Sequence, residues 1–96
     1  MELAIFARFH ARPGQEEAVA AAIHEVIAST RGEAGCLGVH AYRSIRDPRL
    51  HYIHSRWRDE AAFELHVQEP HTVHFIARVA PLLDHELDVA RTTLIG

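Results

Sequence analysis

Between Glu2 and Ala11 the side chains alternate as they would in a β-strand, yet both parities are apolar: Leu3, Ile5, Ala7 and Phe9 fall on one side, Ala4 and Phe6 on the other. A strand of that kind has to be covered on both faces. In a chain of 96 residues helices packed on one side leave the other side bare, and a domain of this size buries only a modest fraction of its surface alone. A monomer would expose a large apolar patch, so the pattern predicts a two-fold homodimer.

The rest of the chain reads as alternating elements. Arg12-Pro13-Gly14 turns it into a helix from Gln15 to about Thr30, striped by Val19, Ile23, Val26 and Ile27 and ended by Gly32 and Gly35. Cys36 to Ile45 and Leu50 to Arg58 read as two strands of a hairpin, joined through Asp47-Pro48. Asp59 suits the N-cap of a helix running to Gln68, with Glu60 in its first turn. Pro70 breaks that helix and favours a new one from His71 to Leu83, and Glu86 to Ile95 reads as a last strand. The order β-α-β-β-α-α-β predicts one α+β domain over residues 1–96: a ferredoxin-like split βαβ with an antiparallel sheet and its helices on one face.

Three histidines fall in the helical layer. Stepping 100° per residue, Ala62, Phe63 and Val67 share an arc with His66 near its middle. In the next helix Phe75, Ile76, Val79, Leu82 and Leu83 form the stripe, with His71 at its edge and His74 further round beside Arg78. A neutral imidazole can take a proton near physiological pH. These residues outline a small-molecule pocket, with His66 or His71 as base, both expected to reach it, and Trp57, Phe63, Phe75 and His74 as substrate-binding residues. Histidines on apolar faces are also often hydrogen-bonded core residues, and the nine in this chain weaken the significance of clustering. His51 and His54 have an odd spacing that sends them to opposite sheet faces. His10, His24, His40 and His85 have no local context that marks them out.

Composition excludes several functions. There is no lysine, so Schiff-base chemistry through a lysine is ruled out. A net charge of −3, without an arginine-rich stripe, argues against nucleic acid. The lone Cys36 cannot form an internal disulfide, and no signal peptide or membrane-length apolar run is seen; the expectation is a cytoplasmic protein without a membrane partner. Cys36 has no local activator and reads as a small buried hydrophobe. His71 and His74 lie at i, i+3 with His66 within reach, but zinc takes three or four protein ligands, and no carboxylate or cysteine joins them at ligand-like spacing. No metal is expected, and no flavin, since a phosphate-cradling glycine motif is missing.

Taken in order, Pro13-Gly14, Glu33-Ala34-Gly35-Cys36, Asp47-Pro48, Trp57-Arg58-Asp59, the H-x-x-x-P-H run His66 to His71, and Phe75 make a pattern that resembles the antibiotic biosynthesis monooxygenase superfamily of dimeric α+β barrels. The resemblance covers essentially the whole chain. It implies a cofactor-independent monooxygenase in which a quinol-like or polyphenolic substrate itself supplies the electron to dioxygen. His66 and His71 match the histidines of the run, and Trp57 matches the tryptophan ending the third strand. Many relatives carry a glutamate two residues before that tryptophan; here the position is Ser55, so a charged partner for the pocket is expected to be missing. Haem-degrading relatives use an asparagine, which this chain lacks altogether. Two alternatives stay open: an isomerase of a small phosphorylated carbonyl compound, whose subgroup shares the histidine run, and a non-catalytic dimeric module that binds a metabolite.

Overall fold

The strand that is apolar on both faces, β1 (Leu3–His10), takes a central place in the sheet. In the computed structural model, which describes residues 1–96, it is followed by α1 (Glu16–Thr30), β2 (Cys36–Arg43), β3 (Leu50–Trp57), α2 (Glu60–Gln68), α3 (Pro70–Val79), a 3₁₀ turn (Ala80–Leu82) and β4 (Asp88–Thr92). The strand order is β2-β3-β1-β4 and every pairing is antiparallel. β3 stands between β1 and β2, the two strands that α1 connects, which is the split βαβ of the ferredoxin-like α+β class.

Helices cover one face. Ala7, Phe9 and Val39 from the sheet pack against Val19, Ala22, Ile23 and Val26 of α1 and against Phe75 and Val79 of α3. A smaller cluster, Ile5, Trp57, Ala62 and Phe63, forms beneath α2. On the opposite face Phe6 is 51% exposed, Tyr42 56% and Tyr52 38%. There Phe6 stacks on His54 at 4.7 Å between ring centroids, whereas His51 is buried on the helix side, as their odd spacing requires.

Element ends differ from the sequence reading for identifiable reasons. The helix expected to reach Leu83 stops at Val79, because Pro81 has no N–H to bond a carbonyl four residues back and its ring crowds that carbonyl. Leu83 instead leaves the helix and bridges Ala11. β2 ends at Arg43 and not Ile45: the Ser44 hydroxyl accepts from the Arg46 and Asp47 amides and bends the chain. β4 spans only Asp88–Thr92, the stretch that finds partners on β1 between Ala4 and Arg8.

His10, unmarked in the sequence, ties three segments together. Its Nδ1 lies 2.7 Å from Asp84 Oδ2 and its Nε2 2.8 Å from Asp47 Oδ2, linking the end of β1 to the β2–β3 turn and to the segment before β4. Two carboxylates can both be served only by the imidazolium, and the bonds to Asp47 and then Asp84 raise the His10 pKa. A raised folded-state pKa contributes stability that is complete below the unfolded value, about 6.5, and is lost as pH rises through the folded value. Thermal melts should therefore fall more steeply above pH 6.5 in the wild type than in His10→Gln, which cannot titrate. Parallel curves would remove this role.

Candidate active site

Glu33 is held where α1 turns into β2. Gly35 has φ +86°, and a Cβ there would lie 2.7 Å from Ala62 Cβ, so only glycine lets this turn lie against α2. The Gly35 carbonyl accepts from the Arg58 amide at 2.8 Å, anchoring the turn to the end of β3. Gly35→Ala should lower stability by about 1–2 kcal/mol from backbone strain alone, with a further loss from the contact with Ala62. Urea titration of the two proteins measures it, and unchanged midpoints would count against this account.

From the other side, Asp59 caps α2 by accepting from the Ala62 amide at 2.9 Å, which brings His66 into its last turn. Glu69, forced into an extended conformation by the proline that follows it, redirects the chain, and Pro70 opens α3 with His71 in its first turn. The two imidazoles thereby converge on one carboxylate oxygen. His66 Nδ1 is 2.8 Å and His71 Nε2 is 2.7 Å from Glu33 Oε2. The Glu33 and His66 side chains are 11% and 14% exposed, and His71 is 28%.

An ionised carboxylate accepts and does not donate, so it selects the His66 tautomer with hydrogen on Nδ1. Nε2 then carries the lone pair, and no protein group bonds it. The Thr72 hydroxyl also lies 3.4 Å from Nδ1. Trp57, fully buried, stacks on the His66 ring at 4.6 Å, and Phe63 lies at 5.5 Å.

His66 borders a cavity of about 390 Å³ between the sheet and the helices. Ile5, Ala7, Val39 and Ile53 form its floor with Ser55; Phe63, Thr72, Phe75 and Ile76 form its roof. The lining draws on both core clusters, so the cavity is the gap between them. Arg91 borders it from β4, 5.0 Å above the Phe63 ring, with its guanidinium bonded to Glu60 at 2.8 Å and also to Glu64. The cavity's size and its mostly apolar walls are those of a small-molecule site.

Residues 3–78 match the antibiotic biosynthesis monooxygenase family. The chain belongs to that family. It is 32% identical over 87 residues to "Putative monooxygenase Rv0793" of Mycobacterium tuberculosis, covering 91% of this chain and 85% of the relative. It is 26% identical over 83 residues to "Putative monooxygenase YcnE" of Bacillus subtilis, covering 86% and 87%. The solved structure of Rv0793 superposes with a TM-score of 0.94 over 100% of this chain and 97% of that one, at 28% identity. PA3566 from Pseudomonas aeruginosa gives 0.89 over 99% and 95%, at 29% identity.

Within this family member, the residues singled out in the sequence separate into layers. His66, Phe63 and Phe75 line the cavity. Trp57 backs His66 without lining it. His71, expected to reach the cavity, stands behind Glu33 and does not border it. His74 is exposed and faces a separate shallow depression with Glu25 and Arg78, so it is no contact of this pocket. Val67, placed on the apolar arc, is 37% exposed at the cavity's edge.

The charged partner expected to be missing is present. Glu33 supplies it from a loop remote in sequence, and Ser55 serves the tryptophan instead: its Oγ accepts from Trp57 Nε1 at 3.0 Å. The premise that no carboxylate joins the histidines also falls, since ligand atoms of Glu33, His66 and His71 lie within 4.8 Å of one another. Those three could hold a divalent ion; in the structure the two imidazoles bond the carboxylate directly. Cys36 is not an activated thiol, as burial pushes its pKa up.

Proposed function

We propose that this protein is a small-molecule monooxygenase in which His66 is the general base for a quinol-like or polyphenolic substrate, with no flavin, haem or metal. The observation that carries the reading is the His66 ring itself: Nδ1 held by a buried carboxylate, Nε2 free, at the wall of an apolar cavity. A substrate hydroxyl placed against Nε2 loses its proton there, and Glu33 stabilises the imidazolium that forms. The resulting phenolate is electron-rich enough to pass one electron to dioxygen. Recombination of the two radicals in the apolar cavity puts one oxygen atom on the ring, and the other leaves as water, so that a hydroquinone and O₂ become a hydroxyquinone and H₂O. His71 acts through Glu33 as a positioning residue.

A phosphorylated substrate suits this cavity poorly. Arg91 is the single cation on its lining and is already engaged by Glu60 and Glu64. That favours the oxygenase reading over isomerisation of a sugar phosphate. Oxygen consumption against a panel of hydroquinones, naphthols and anthrones is the direct test, with product formation without oxygen as the sign of an isomerase and absence of any product as the sign of a binding module. The purified protein should lack a flavin or haem spectrum.

The protein is proposed to act as a homodimer joined through the outer sheet face, where Phe6, Tyr42 and Tyr52 are exposed. Sedimentation at low micromolar concentration should give a dimer and Phe6→Asp a monomer. A monomeric wild type would refute it. No helix is long and apolar enough to cross a membrane.

A further inference from the structure

We propose that Ser55 donates a hydrogen bond to an oxygen of the bound substrate, so that the cavity selects aromatic ligands whose ionising oxygen can accept from it while His66 takes the proton. The inference deepens the oxygenase reading and rests on it for its chemical consequence. Its geometric basis is independent. Ser55 is 5% exposed, in the floor of the cavity. Its Oγ already accepts from Trp57 Nε1 at 3.0 Å, while its own O–H has no acceptor among the protein groups.

A hydroxyl has one donor and two acceptor sites. With one lone pair taken by the indole, Ser55 keeps its proton and one lone pair to bond, and the indole N–H polarises the hydroxyl into a better donor. The neighbours on the sheet, Ile5 and Val39, pair with Ser55 across β1 and β3 and across β2 and β3 and offer no side-chain acceptor. Thr30, also on the lining, spends its proton on the Val26 carbonyl. The same indole lies against His66 at 4.6 Å between ring centroids, so the donor and the base both contact one rigid group, and both line one cavity. A neutral donor beside a neutral acceptor favours a phenol that ionises on binding: the base receives the proton and the hydroxyl receives the developing negative charge. A carboxylate in place of Ser55 would repel that charge.

The test is anaerobic binding of 4-nitrophenol, whose anion is coloured, followed across pH. The bound phenol should ionise about one pH unit lower in the wild type than in Ser55→Ala, as expected for one hydrogen bond to a charged oxygen. Ser55→Thr keeps the hydroxyl and should match the wild type. Because Ser55→Ala leaves the buried indole N–H unpaired, the decisive pair is Trp57→Phe against Ser55→Ala/Trp57→Phe, in which no indole donor remains. A difference between these two supports the proposal; equal ionisation, or no binding by the wild type, overturns it. A Ser55-dependent shift without oxygen uptake by any phenol would leave Ser55 standing and refute the oxygenase reading instead.

Discussion

Replacing His66 by alanine should lower oxygen-dependent turnover of a hydroquinone by about 10²-fold or more, the usual contribution of a positioned general base. The ring removed is the one imidazole on the cavity lining, and no protein group bonds its Nε2. Glu33→Gln keeps the shape but offers a neutral acceptor. Its interaction with His66 strengthens only when the ring becomes charged, so kcat should fall by at least about 10-fold with KM little changed. His71→Ala should have a smaller effect through Glu33, and His74→Ala none. Normal turnover in His66→Ala would return the site to binding alone.

Trp57→Ala should destabilise the fold by about 3–5 kcal/mol, the range for removing a large buried aromatic side chain. Trp57 is the largest fully buried side chain and packs in the smaller core cluster with Ile5, Ala62 and Phe63. Its ring meets Phe63 edge to face at 5.8 Å and lies 4.6 Å from the His66 ring. Set against a typical total of about 5–15 kcal/mol, such a loss leaves little margin, and Tm should drop by about 15 °C or more for a domain of this size. Trp57→Phe, which keeps a ring under His66, should lose much less. A melt of Trp57→Ala within a few degrees of the wild type would mean that neighbouring side chains collapse into the space.

Local chemistry accounts for most of what could be read early. Alternation along Leu3–Phe9, the Asp59 cap and the proline at position 70 each act within a few residues, and each is found doing what its type dictates. The split βαβ order read from the element sequence is the one the sheet has. Two elements end earlier than their periodicity implies because a local signal interrupts them: Pro81 shortens α3, and the Ser44 hydroxyl shortens β2.

The site was legible in part. Helical periodicity correctly set His66 among apolar neighbours, because period and face are properties of one element. It could not show that His71 lies behind a carboxylate, nor that His10 is clamped between Asp47 and Asp84. The one hint was Glu33 beside a glycine turn, without a periodic element to say where it pointed.

Residue order and side-chain type are sufficient for the element sequence, the split βαβ topology and the family, since these follow from local preferences and from which faces must be buried. The arrangement of side chains around His66 is different in kind. Glu33 meets His66 across 33 residues and His71 across 38. Such contacts depend on how α1, α2 and the sheet settle against one another, which no single stretch of the chain encodes.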